Sequence, residues 1–241
     1  MLRFQSPSNN GVMYWSFNKG GPLFQFGCVD YGGFPLMSYY TVKRAFAPIA
    51  VQARRDIRDI SILLSNYNAE PCYINIEVFH MNKNGEILMS QEKEIQYKTG
   101  DISFDAEKPI EVFRYKNLYD KIKERTKEII YVSASVNGSL VADDMLFFCS
   151  FAEFKGEFNE LPVKIKKIGD NKRQIRLETS VPVRMIKLES NQKLLFSDNY
   201  FPMVPGKSKI IEAKIIEKIA EEPTSLTIQI LGFDKKQEFV L

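Results

Sequence analysis

The first 48 residues follow a different pattern from everything after them. Val12-Met13-Tyr14-Trp15-Ser16-Phe17 is an apolar, strand-like run. A loop rich in Gly and Pro follows from Asn18 to Phe34, and Leu36 to Phe46 is compatible with a helix. Strand, long loop and helix make one unit of a (β/α) barrel. A complete barrel takes about 250 residues, so the rest of this chain must build something else.

From Val51 the periodicity changes from helical to alternating, which marks a boundary just after Pro48. Ile60-Ser61-Ile62-Leu63-Leu64 and Cys72 to Phe79 read as strands, the second alternating apolar and polar as a half-buried strand does. Asn82-Lys83-Asn84-Gly85 predicts a hairpin turn, because Asn and Gly tolerate positive φ, and Glu86 to Tyr97 returns as its partner. A helix is predicted from Leu118 to Lys127 with Asn117 as its N-cap. Ile129 to Val136, the Asn137-Gly138 turn and Leu140 to Phe151 form a closing hairpin. Residues 49–156 therefore fit an immunoglobulin-like sandwich.

Residues 157–241 form a second alternating block. Strands are predicted at Val163 to Ile168, Gln174 to Thr179, Val183 to Ser190, Ser208 to Ile216 and Ser225 to Leu231. Among them lies Phe196-Ser197-Asp198-Asn199-Tyr200-Phe201 followed by Pro205-Gly206. Asp198 and Asn199 can bond their own backbone in a turn, while Tyr200 and Phe201 can plug a sandwich end. The alternative is that Asp198, Asn199 and Tyr200 reach a sugar, since polar groups beside an aromatic are what carbohydrate sites use.

Composition sets limits on function. Lys and Arg total 33 against 30 Asp and Glu, a net charge of +3 that does not point to nucleic acid or a membrane. No apolar run approaches the roughly 20 residues a spanning helix needs. Lys164, Lys166, Lys167, Lys172, Arg173 and Arg176 cluster, but they alternate with Val163, Ile165 and Ile175, the pattern of a strand edge guarded by charge. Cys28, Cys72 and Cys149 lack zinc or redox spacing and read as reduced thiols. His80, the single histidine, has no second ligand near it and reads as structural, so neither metal nor cofactor is expected. Met1 to Pro7 lacks the basic head and apolar stretch of a signal peptide, and the compartment stays unassigned.

Two stretches resemble the β-mannosidase branch of glycoside hydrolase family 2. Strand eight of that family's catalytic barrel carries a W-x-x-N-D-x-W-P-x-x-x-W pattern followed by an acid and Tyr-Gly. This chain keeps Trp15, Asn18 and Pro22, has Phe26 at the later aromatic position, and continues through Asp30-Tyr31-Gly32, Tyr39-Tyr40 and Lys43-Arg44-Ala45 to Ala47-Pro48. It departs at Lys19, where the family has the acid, and at Gly21, where the family has a second Trp walling the sugar pocket. Phe196 to Phe201 with Pro205-Gly206 resembles the F-S-D-N-Y-F-x-x-x-P-G signature of the family's C-terminal immunoglobulin-like domain.

The resemblance implies a mainly β chain: the last β/α unit of a truncated TIM barrel (1–48) and two immunoglobulin-like sandwiches (49–156 and 157–241). It implies Trp15 and Asn18 as substrate-binding residues, Trp15 offering a flat face to a sugar. Retaining hydrolysis needs two carboxyl groups about 5 Å apart, and from Met1 to Arg55 the only carboxylate is Asp30. In the family both catalytic glutamates lie on earlier strands, so no catalytic residue is assigned here. The implied function is the C-terminal part of an exo-glycosidase removing terminal β-linked mannose or a related sugar. Its implied partners are a β-linked glycan and the upstream catalytic portion if that is expressed separately. The alternative is a stand-alone carbohydrate-binding or structural module. On this reading the barrel piece is separable, and removing residues 1–48 is expected to leave the rest folded.

Overall fold

A computed structural model describes residues 4, 16–21, 27–67, 71–97, 109–150, 153–154, 160–217, 223–231 and 236–241. The chain divides into two compact units, one of Met1–Met13 with Lys43–Lys155 and one of Tyr14–Val42 with Gly156–Leu241. Helix α1 (Met37–Ala45) carries Lys43 and Arg44 in its last turn, where cations complement the helix dipole. The expected barrel strand falls mostly on residues 12–15, outside the described residues. At its end Ser16 has φ 63, and neither it nor Phe17 lies in a strand.

The first unit contains β1 (Ile49–Asp56), β2 (Asp59–Asn66), β3 (Cys72–Asn82), β4 (Ile87–Tyr97), β5 (Ile110–Tyr115), α2 (Leu118–Lys121), β6 (Glu128–Val136) and β7 (Ser139–Phe147). They pair antiparallel as sheets β1-β2-β5 and β4-β3-β6-β7. Alternation aims Ile60, Ile62 and Leu64 of one sheet at Ile74, Ile76, Val78, Ile130, Val132 and Ala134 of the other, and this is the core. The expected turns form as their residues dictate. Asn82 Oδ1 accepts the N–H groups of Asn84 and Glu86, and Asn137 and Gly138 both have positive φ.

The predicted helix from Leu118 to Lys127 is a single turn, and Asn117 does not cap it. Asn117 has φ 54 and makes no side-chain cap bond, because its N–H is tied to Asp59 Oδ1 at 2.9 Å. Past Lys121 the backbone extends at Ile122, which is buried against the core. Burial of one apolar side chain here wins over a continuation otherwise made of Lys, Glu, Arg and Thr. His80 Nε2 meets Glu128 Oε2 at 2.8 Å in a buried pair, and Glu128 Oε1 accepts the Glu124 N–H. The histidine is thus engaged in the framework, as expected.

The β1–β2 turn, Asp56-Ile57-Arg58-Asp59, holds a strained residue. Ile57 has φ 55 and is 88% exposed, although a β-branched side chain in the left-handed region costs about 1–2 kcal/mol. Ile57→Gly is therefore expected to raise the stability of this unit by about 1 kcal/mol. Urea unfolding midpoints of the two proteins measure it, and an unchanged or lower midpoint would mean that no strain is relieved.

The second unit contains β8 (Val163–Gly169), β9 (Lys172–Leu177), β10 (Val183–Ser190), β11 (Lys193–Phe196), β12 (Phe201–Met203), β13 (Lys209–Glu217), β14 (Ser225–Ile230) and β15 (Lys236–Val240). Sheets β11-β13-β9-β8 and β12-β10-β14-β15 enclose a core that includes Ile175, Leu177, Ile186, Leu188, Ile211 and Ile228. The chain passes repeatedly from one sheet to the other, as in immunoglobulin sandwiches. Strands β1, β5, β11, β12 and β15 are additions to those predicted from sequence.

Candidate functional site

Trp15 lies outside the described residues, so the platform expected of it is not described. Asn18 is exposed and forms an isolated bridge with Val29. The loop is held by backbone bonds: Cys28 and Val29 N–H both donate to Phe17 O, Lys19 N–H donates to Val29 O, and Leu36 N–H donates to Cys28 O. Ser38 Oγ, on α1, donates to Gly27 O at 2.6 Å.

Asp30, the one carboxylate of this segment, is engaged in a turn. Its Oδ1 accepts the Phe34 N–H at 2.8 Å, while its own N–H donates to Phe34 O at 2.9 Å. Gly33 closes the turn at φ 81, a conformation that glycine adopts without the strain of a Cβ. The arrangement supplies no acid and nucleophile pair. Among the described residues no group of three or more His, Cys, Asp or Glu could hold a metal, and none of Cys28, Cys72 and Cys149 is in a disulfide.

The C-terminal signature is held by side-chain bonds to the backbone and by an ion pair. Asn199, only 4% exposed, turns its side chain into a surrogate strand for β10. Its Oδ1 accepts the Leu188 N–H at 2.8 Å and its Nδ2 donates to Leu188 O at 2.9 Å. Asp198 Oδ1 accepts the Asn199 N–H, and its Oδ2 lies 3.0 Å from Lys209 Nζ. That ammonium also sits 4.8 Å from the Phe201 ring centroid. Tyr200 takes φ 54, which lets Phe201 turn inward to full burial.

Into this signature α1 inserts Tyr40, 1% exposed. Its ring lies 6.1 Å from Tyr200 and 5.2 Å edge-on to Tyr39. Burial, then the neighbouring Tyr39 and Asp198, push the Tyr40 hydroxyl well above the usual phenol range, and a hydrogen bond with the Phe196 backbone opposes them. Nearby, Lys193 Nζ is 5.2 Å from the Phe34 ring. Asp198 and Asn199 thus form a turn and a buried anchor. The sequence had offered Tyr39-Tyr40 only as part of a match, and its role as a plug became visible with the fold.

The basic cluster is largely consumed locally. Arg173 donates to the carbonyls of Gly169, Asp170 and Lys172, Lys167 pairs with Asp170 and Arg176 with Glu178. Lys164 and Lys166 are exposed on β8, the edge strand of its sheet, where they blunt edge-to-edge pairing.

Comparison with known proteins agrees with this architecture. The mannosidase family model described as an Ig-fold domain matches residues 160–232. β-Mannosidase B of Aspergillus clavatus is 24% identical over 224 residues, covering 85% of this chain and 25% of that protein. The Aspergillus niger β-mannosidase B is 23% identical over 220 residues, covering 84% and 25%. The chain spans about a quarter of the length of these relatives. The crystal structure of β-D-mannosidase from Dictyoglomus thermophilum superposes with a TM-score of 0.79 at 18% identity, covering 95% of this chain and 27% of that one. Exo-chitosanase CsxA of Amycolatopsis orientalis gives 0.68 at 13% identity, covering 97% and 31%. By domain match, sequence and fold, the chain is similar to the C-terminal portion of β-mannosidase-like enzymes of glycoside hydrolase family 2.

Proposed function

We propose that this chain serves as the C-terminal part of a β-mannosidase-like exo-glycosidase, completing and bracing a catalytic barrel whose two glutamates are supplied from outside it. On this reading residues 1–48 are the last β/α unit of the barrel, and 49–156 and 157–241 are the accessory sandwiches. Trp15 and Asn18 would face the terminal sugar, and cleavage would follow a retaining two-carboxylate course. The reading is supported above all by Tyr40, on the helix that follows the sugar-facing loop, seated in the Phe196 to Phe201 signature. Such a seat turns the sandwich into a clamp on the loop. No observation favours a stand-alone sugar-binding module.

The chain alone is expected to hydrolyse aryl β-mannosides no faster than buffer. Mixed with, or fused to, the remaining portion of a related β-mannosidase that lacks its own C-terminal quarter, it should restore turnover. Turnover by the isolated chain that disappears on replacing one of its own carboxylates would overturn the proposal. So would a stable complex that stays inactive while the intact relative works under the same conditions.

A further inference from the structure

One end of the first unit carries a second constellation, independent of the sugar-facing loop. Tyr119, in α2, is held by its N–H to Arg58 O at 3.0 Å and by a tilted ring contact with the buried Phe148 at 6.1 Å. Two arginines, Arg55 from β1 and Arg125 from the segment before β6, place their guanidinium carbons 4.4 Å and 4.3 Å from that one ring centroid. Both side chains are exposed. Among the described residues neither has a carboxylate within ion-pair distance. The nearby acids are engaged elsewhere: Asp120 pairs with Arg58 and Glu124 with Lys127. Lys121 and Lys123, also exposed, add to the positive field.

Two guanidiniums on one ring repel each other, and stacking on an aromatic does not consume their N–H donors. It orients them. A stacked guanidinium presents its fork edge-on, the geometry that matches a phosphate, sulfate or carboxylate bidentately. Because Phe148 packs against Tyr119, the ring that carries both guanidiniums is held in place before any ligand arrives, which lowers the entropic cost of capture. We propose that Arg55, Arg125 and Tyr119 form a binding site for an oxyanion group of the kind carried by a sugar phosphate, sugar sulfate or uronic acid.

The test is titration of the chain with inorganic phosphate, a hexose 6-phosphate, glucuronate and neutral mannose. The arginine Nε–H signals are followed by NMR, with affinity measured by calorimetry. The three anions are expected to shift the Arg55 and Arg125 signals, and mannose is not. Arg55→Gln and Arg125→Gln should each weaken the anions about tenfold or more, with the Lys replacements weakened less, because charge stays while the fork is lost. Raising salt from low to physiological should weaken binding further. Lys164→Gln on β8 should change nothing, and thermal melts of every variant establish that it is folded. A sugar phosphate tighter than inorganic phosphate assigns the carrier as a glycan. Equal affinities assign the oxyanion alone as the ligand. The proposal fails if no anion moves the two arginine signals, or if affinity survives in the folded Arg55→Gln, Arg125→Gln double variant.

Discussion

Tyr40→Ala is expected to destabilise the second unit by about 3–5 kcal/mol, the usual range for deleting a buried aromatic. The ring is 1% exposed and contacts Tyr39 and Tyr200, so its removal leaves a cavity. That cavity is floored by a turn which cannot close over it, because Asn199 and Asp198 pin the backbone. Tyr40→Phe keeps the ring and loses only the hydrogen bond with the Phe196 backbone, for about 1 kcal/mol. Asn199→Ala should approach the larger loss by orphaning both Leu188 groups. Urea unfolding of the three variants gives the ranking. A loss under 1 kcal/mol for Tyr40→Ala would show that the helix is not seated as described. The same geometry reverses the expectation that residues 1–48 are separable. Deleting them removes Tyr40, so the truncated protein should melt lower and associate more, as size exclusion and thermal melts will read directly.

A second large effect concerns pH. Asp144, on β7, accepts the Ala53 N–H of β1 through Oδ2 at 3.0 Å, linking the two sheets of the first unit. Burial pushes its carboxyl from near 3.8 up to about 6, against the pull of the Ala53 and Met145 N–H groups. Below the unfolded value both states hold the proton and the site is neutral to stability. As pH rises through the unfolded value toward the folded one, the unfolded chain releases its proton first, and stability falls. Above the folded value the cost is constant, on the order of 3 kcal/mol for such a shift. Asp144→Asn has no proton to lose. The stability difference, variant minus wild type, should therefore climb by about 2–3 kcal/mol between pH 4 and 7. Taking the difference cancels groups that act oppositely, such as Asp59, whose carboxyl is held down by the Asn117 N–H and Arg114. A difference that stays flat across that range would remove Asp144 as the cause.

Much of this architecture is legible from residue pattern. The sequence pattern predicts strand β10 at its observed limits, and β2, β3, β6, β8 and β14 to within a few residues, because apolar side chains recur at alternate positions along much of each. The turn after Asn82 follows from its side-chain acceptor and from Gly85 at φ 85, and the next from Asn137 and Gly138, both at positive φ. What escaped is what depends on partners distant in sequence. Helix α2 looked three turns long by composition but is cut short by the burial of Ile122. Strands β11 and β12 are too short to show a period and flank a turn that is stabilised by Leu188 and Tyr40. At the site, the signature is visible as a motif, and Trp15 and Asn18 are implied by the resemblance alone. That Asp198 and Asn199 serve a turn and an anchor could be learned only once β10 and Lys209 were placed beside them.

The seating of Tyr40 beside Tyr200 carries a consequence for biogenesis. The second unit is discontinuous, with all of residues 43–155 inserted between its two parts. At ribosomal speeds of about 5–20 residues per second, the aromatic helix waits roughly 8–30 s for a partner about 160 residues away. During that interval the inserted sandwich can fold by itself, while Tyr39 and Tyr40 remain open to chaperones or to a neighbouring nascent chain.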